Sequence, residues 1–209
     1  MKGKFIVFEG IDGSGKSTQI KRLAKRLEEM GVSCYETREP TDSPAGSLVH
    51  HIMIGRTTAD ERVIAALFMA DRVDHLTNPV DGLMLQIDKG VTVISDRYYF
   101  SSYAYHGVEL DMDWIINGNS ISADILRPTA TVFLDIPVET AMERINSNRS
   151  RKELYEKADR LAKVRAKYFE AFDKLRDVET VEVVDANADA DTVEERIWAA
   201  VSKYFEGDE

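Results

Sequence analysis

Cysteine is almost absent from this 209-residue chain, and the single Cys34 excludes an internal disulfide. It falls in a predicted strand, where a thiol is more readily a buried small hydrophobe than a nucleophile. Long apolar runs are missing as well. The longest uncharged apolar stretch, Val63 to Ala70, is far below the roughly 20 residues that a membrane-spanning helix needs. Met1-Lys2-Gly3-Lys4 leads straight into a strand without an apolar signal region, so the expected location is cytoplasmic. Basic residues are in deficit, 27 against 37 acidic, for a net charge of −10. That balance argues against coating nucleic acid or a membrane surface. There is no CxxC pair, no HExxH, no GxSxG and no Asn-Lys-x-Asp. Repeats, linkers long enough to divide domains and low-complexity tracts beyond the short Asp185 to Asp191 run are also lacking, so residues 1–209 read as one domain.

What is present is concentrated near the start. A β-rich run, Phe5 to Phe8, precedes Gly10-Ile11-Asp12-Gly13-Ser14-Gly15-Lys16-Ser17-Thr18, and a helix-prone stretch, Gln19 to Leu27, follows. This is the G-x-x-x-x-G-K-[ST] spacing in the strand-then-helix setting that the motif requires. Glycines let successive backbone N–H groups turn toward a phosphate, and the helix N-terminus adds partial positive charge. Lys16 is the candidate for the β- and γ-phosphates, and the Ser17 hydroxyl for Mg²⁺.

Strands and helices alternate along the rest of the chain. Predicted strands cover Val32–Thr37, Val91–Ser95, Ala130–Ile136 and Thr180–Val184. Helices are expected over 45–54, 60–76, 80–89, 111–125, 153–176 and from a capping box at Asp191 to about Phe205. The pattern predicts an α/β, three-layer P-loop NTPase fold, with a five-stranded parallel sheet flanked by helices on both faces. Polar residues over about 146–153, with Arg149 and Arg151, have the composition of a short lid or of a solvated linker.

Charged residues recur at predicted strand ends, where open α/β sheets bind ligands. Arg38 follows the second strand, and Asp96-Arg97 follows the third. Asp96 is placed to hold Mg²⁺ through water. Phe68, Arg72 and His75 share one face of a helix, where an aromatic ring and a guanidinium four residues apart can meet one planar base. Read alone, Arg38 is equally an exposed loop arginine, and Phe68 and Arg72 a core ring with a snorkelling neighbour. Together, the arginines point to a phosphotransferase whose acceptor carries a phosphate. Other phosphotransferase acceptors and a non-catalytic nucleotide-binding protein are the competing readings.

These segments resemble the thymidylate (dTMP) kinases of the nucleoside monophosphate kinase group. The likeness rests on Phe8 to Gln19, Thr37 to Thr41, Phe68 to Arg72, Asp96-Arg97-Tyr98 with Ser101 and Ala104-Tyr105, and Asp135 to Arg144. It implies transfer of the ATP γ-phosphoryl group to dTMP with Mg²⁺, by a homodimer. It further implies that Thr18 contacts the α-phosphate, that Arg38 grips the acceptor phosphate and that Arg97 lies between donor and acceptor. Phe68 would stack on thymine, Arg72 would bond its carbonyl edge, and Ser101 and Tyr105 would belong to the sugar and base pocket. Asp12 would orient the acceptor from inside the loop, and Arg144 would stack on adenine. One branch of the family carries an arginine where this chain has Gly13, while the other supplies that charge from the lid. Gly13 with Arg149 and Arg151 resembles the second branch. The family's common Ala-Tyr-Gln is here Ala104-Tyr105-His106. If it touches the base, His106 would add a pH dependence between about 5 and 8.

Overall fold

The computed structural model describes residues 2–148 and 158–206. Five strands form one parallel sheet in the order β2-β3-β1-β4-β5: β1 Phe5–Glu9, β2 Cys34–Arg38, β3 Thr92–Asp96, β4 Ala130–Asp135 and β5 Val181–Asp185. The central strands read as continuous apolar runs because helices cover both faces. Phe5, Ile6, Val7 and Phe8 are all buried, as are Val93, Ile94 and Val132 to Leu134. The edge strands differ, leaving Tyr35 on β2 and Val183 on β5 exposed. Cys34, expected to be buried, is only partly so on that edge.

The helices are α1 Lys16–Glu29, α2 Pro44–Met53, α3 Glu61–Thr77, α4 Leu83–Asp88, α5 Tyr99–His106, α6 Met112–Ile125, α7 Val138–Asn148, α8 Ala158–Leu175 and α9 Ala190–Val201. Local chemistry sets several boundaries. Ser43 caps α2 through Gly46 N, with Pro44 in its first turn, and Asp60 caps α3 through Arg62 N. α9 starts earlier than the expected capping box, because Asp189 accepts hydrogen bonds from both Asp191 N and Thr192 N. The hydroxyl- and aromatic-rich segment around Ser101 to His106 is a helix, α5, packed between α6 and α8. Of the lid expected over 146–153, residues 146–148 end α7, and Arg149 and Arg151 lie outside the described residues.

Register brings the ligand-facing ends together. Phe8 and Arg38 both pair with Asp96, and Asp135 pairs with Asp185, so the carboxyl ends of the strands form one rim. The turns that follow those strands build the site.

Candidate active site

The turn after β1 carries Gly13 at φ 84° and Gly15 at φ 97°, a left-handed backbone that disfavours any side chain. An added Cβ at Gly13 would also stand 2.6 Å from the Ala141 carbonyl oxygen of α7. The loop therefore closes around its own backbone N–H groups. Lys16 is buried at its end and donates to Gly10 O at 3.1 Å, bridging the loop. Burial pushes the Lys16 ammonium below its usual range and nearby Arg97 adds to this, while Asp96, Asp12 and Glu9 oppose the shift.

Asp96 lies across the cleft from the start of α1. The Ser17 hydroxyl donates to Asp96 Oδ2 at 3.1 Å, and Lys16 Nζ stands 3.9 Å from Oδ1. Oδ1 is buried without a hydrogen bond among the described residues. A hydroxyl and a carboxylate so placed suit a hard cation that completes its shell with water and phosphate oxygens. No cluster of three or more His, Cys, Asp or Glu able to enclose a metal exists among the described residues. The oxygen-only pair fits Mg²⁺ bound jointly with a nucleotide.

Arg97 occupies the next position at φ 78°, a conformation that costs a non-glycine residue about 1–3 kcal/mol. Several bonds hold it there. Its backbone N–H donates to Phe8 O at 2.9 Å, and its guanidinium donates to Asp12, to Ser101 Oγ at 2.9 Å and to Tyr105 OH at 3.2 Å. The guanidinium also stands 4.8 Å from the Tyr105 ring centre. Burial works against its charge, but Tyr105, Asp12, Tyr168 and Asp96 outweigh that and keep it firmly cationic.

Underneath lies Glu9, which the motif reading passed over. It is fully buried, accepts Tyr98 N and Ser101 N on Oε1 at 2.9 and 3.0 Å, and accepts Ser101 Oγ and Tyr168 OH on Oε2 at 2.6 and 2.7 Å. Glu9 thus supplies the cap that Tyr98 cannot, fixing the start of α5 and, through Ser101, the Arg97 guanidinium. A carboxylate closing an otherwise apolar buried strand was the signal in the sequence. Tyr168 had none, because it arrives from α8 some 159 positions away.

Two hollows flank Arg97. A cleft of about 660 Å³ runs from Asp12 to Gln19, past Arg38, Asp96 and Arg97, to Arg144 and Ala186. Arg38 is largely exposed there, 3.6 Å from Asp42 Oδ1. Arg144 lies between the two loops, its nitrogens 3.5 Å from Ser14 O and 3.3 Å from Ala186 O. A smaller pocket of about 60 Å³ is lined by Phe68, Ser101, Ser102, Tyr105 and His106. The hollows share Asp12, Pro40, Met53 and Arg97. His106 is buried beside Phe68, ring centres 5.1 Å apart. Burial, helped by Arg72 and Arg160, pushes its imidazole down to about 3. That takes its titration out of the range from pH 5 to 8 anticipated from the sequence.

Arg72 is not among the residues lining this pocket. Its guanidinium is 1% exposed, with Nε and Nη2 each 2.8 Å from Glu39 Oε2, and Nη1 donates to Asn119. His75 stands on the same network, 3.2 Å from Glu39 Oε1 and 2.7 Å from Thr37 Oγ1. Asp71 adds hydrogen bonds from Thr41 N at 2.8 Å and Ser43 Oγ at 2.7 Å. The face of α3 that carries Phe68, Arg72 and His75 therefore grips the loop after β2, and only Phe68 of the three lines the pocket.

The thymidylate kinase family model matches residues 8–197. A probable thymidylate kinase of Thermococcus kodakarensis is 36% identical over 210 residues, covering 94% of this chain and 96% of the relative. The thymidylate kinase of Afipia carboxidovorans is 37% identical, covering 94% and 88% respectively. Thymidylate kinase from Candida albicans, described as having broad substrate specificity, superposes with a TM-score of 0.78 over 98% of this chain and 93% of its own, at 24% identity. That last likeness concerns the fold, whereas the first three cover sequence along nearly the whole chain. The chain belongs to the thymidylate kinase family.

Proposed function

We propose that the two hollows bind donor and acceptor of one reaction, the transfer of the γ-phosphoryl group of ATP to dTMP. A phosphate oxygen of dTMP attacks the γ-phosphorus and the bond to the β-phosphate's bridging oxygen breaks, giving dTDP and ADP. The observation that carries this reading is Arg97, a permanent cation on the wall shared by the phosphate cleft and the small pocket. Charge spreads over the migrating group in such transfers, so catalysis is positioning and charge neutralisation.

In this reading, residues 10–18 cradle the ATP phosphates, Lys16 exchanges its bond to Gly10 O for phosphate oxygens, and Thr18 reaches the α-phosphate. Ser17 and Asp96 hold Mg²⁺, which supplies positive charge to the phosphates when bound. Arg144 stacks on adenine beside the turn at Ala186. Arg38, exposed in the cleft, takes the acceptor phosphate. Asp12 orients both Arg97 and the acceptor. Phe68 stacks on thymine while Ser101, Tyr105 and His106 border the sugar and base. Arg72, buried against Glu39 and Asn119 and absent from the pocket wall, has two N–H donors left, and these would reach the base's carbonyl edge only if the pocket opens toward α3 when dTMP binds. Arg149 and Arg151 bring lid charge to the phosphates. Replacing the critical one is expected to lower turnover by orders of magnitude with little change in dTMP affinity. Unchanged turnover in both single variants and the double variant would reject that role.

The protein works in the cytoplasm as a homodimer. Leu48, Val63, Trp114 and Ile121 are exposed on α2, α3 and α6, which pack as neighbours, and this supports a helical interface. No helix among the described residues is long and apolar enough to cross a membrane. Light scattering of the purified protein tests the dimer. The reaction is tested by ADP production with ATP and Mg²⁺, offering dTMP, dUMP, dCMP, dGMP, AMP and thymidine in parallel. A dTMP preference with weaker dUMP use is expected, because one methyl group is worth only about 1–3 kcal/mol of discrimination. Preference for thymidine or for a purine monophosphate would overturn the assignment of the acceptor pocket.

A further inference from the structure

Two buried polar atoms near the small pocket face each other without a hydrogen bond. His106 Nδ1 on α5 stands 4.0 Å from Glu61 Oε2 in the first turn of α3, and neither atom is hydrogen-bonded among the described residues. Glu61 is not needed as a cap, since Asp60 accepts from Arg62 N. An unpaired buried polar atom costs about 1–3 kcal/mol, so two such atoms opposite one another form a bond awaiting closure. A swing of Glu61 by about 1 Å brings them within hydrogen-bonding distance.

We infer that Glu61 fixes the tautomer of His106, holding the ring proton on Nδ1 so that Nε2 offers a lone pair to the N3–H of the acceptor's pyrimidine. The inference rests on reading the small pocket as the base site. The ring is neutral, because burial, Arg72 and Arg160 all oppose its protonation, so one nitrogen donates and the other accepts. An ionised carboxylate only accepts, which leaves Nδ1 as the donor. Burial raises Glu61, Arg160 opposes that, and Glu109 and Asp60 reinforce it. Ionisation of Glu61 therefore strengthens the arrangement as pH rises.

The consequence is selective. Thymine and uracil carry a single ring donor on their polar edge, N3–H between two carbonyls, whereas cytosine presents a lone pair at N3. An acceptor at Nε2 pairs with the first two and repels the third. Ser102 Oγ, also buried and without a hydrogen bond among the described residues at this pocket, does not discriminate, since a hydroxyl rotates to donate or accept. Glu61 is a positioning residue here, acting through His106.

Two readouts test this. Nitrogen-15 NMR of the imidazole in the free enzyme is expected to show the neutral Nδ1–H tautomer near pH 7.5, weakened in Glu61→Ala. The same variant should lower the dTMP-to-dCMP ratio of kcat/KM by about tenfold or more. Because Glu61 is about one-third exposed, the variant is expected to fold, and Glu61→Gln provides a second, isosteric case. An Nε2–H tautomer in the wild type, or an unchanged ratio in Glu61→Ala, overturns the inference. Phe68→Ala separates the possible failures. An unmoved dTMP KM there overturns the base-pocket reading and this inference with it. A raised KM there, beside an unchanged Glu61→Ala ratio, overturns the tautomer assignment alone.

Discussion

Replacing Arg72 by methionine should damage the protein's stability before its chemistry. Glu39 and Arg72 are among the most deeply buried charges in the molecule, with side chains 2% and 1% exposed, and each carries most of the other's compensation. Among the described residues, Arg72→Met leaves the Glu39 carboxylate with only His75 at 3.2 Å, and it leaves Asn119 Oδ1 without its guanidinium donor. Breaking a buried pair by removing one partner costs about 3–5 kcal/mol, because the remaining charge stays desolvated. For a chain of this size that corresponds to a melting temperature lower by roughly 6–20 °C. Urea denaturation and calorimetry of Arg72→Met, Glu39→Gln and the double variant supply the cycle. Removing both charges eliminates the stranded carboxylate, so the double variant should recover at least about 1.5 kcal/mol relative to additivity. A cost below about 1 kcal/mol for Arg72→Met, or strict additivity, would refute the argument that the pair is mutually compensated. Kinetics on the double variant then isolate recognition. If the two remaining Arg72 donors reach the base, dTMP KM stays raised by about tenfold even where stability has returned.

His106 yields a prediction about pH. Its folded-state pKa of about 3 lies below the ordinary 6.5, so the unfolded chain takes up a proton that the native state refuses. Stability from this group is complete above about pH 6.5 and declines by about 1.4 kcal/mol per unit as pH falls toward 3. His106→Gln should flatten that slope in urea titrations at pH 4 to 7, and an NMR titration of His106 with a midpoint above 5 would contradict it. Glu9 has the opposite sign, because burial raises its pKa despite Arg97, Ser101, Tyr168 and Tyr98. The native state then holds the proton more tightly, and the Glu9 contribution to stability weakens as pH rises above the ordinary carboxyl value; Glu9→Gln should remove that component from the same titrations. Finally, Gly13→Arg should not restore turnover to a variant in which Arg149 and Arg151, the arginines proposed to act from a lid, are both replaced, and restored activity would refute this. A side chain at 13 meets the α7 backbone at 2.6 Å and requires φ 84° as well.

That last case shows why some of the site was legible in the sequence and some was not. The strand-glycine-lysine-helix signature, the parallel sheet and the charges at strand ends are local patterns, each written within a few consecutive residues. The structure brings Asp12, Lys16, Ser17, Arg38, Asp96, Arg97 and Arg144 to one cleft. Arg72 was legible only as a position on a helix face. Periodicity says which residues share that face, but not whether the guanidinium turns to a ligand or to a carboxylate 33 positions away. The same blindness hid Tyr168 as the partner of Glu9, since their bond joins the first strand to the penultimate helix. It also hid the environment of His106. The unperturbed imidazole titrates near neutrality, and burial against α3 and α8 keeps the ring neutral through the range from pH 5 to 8. Gly13 required both kinds of information. The resemblance to one branch of the family implied that positive charge comes from elsewhere than position 13, and the approach of Ala141 O adds a steric reason: α7 packs where a side chain would have to begin. A side chain at position 13 must therefore be accompanied by a shift of α7. Arginine at that position and this close packing of α7 exclude each other sterically.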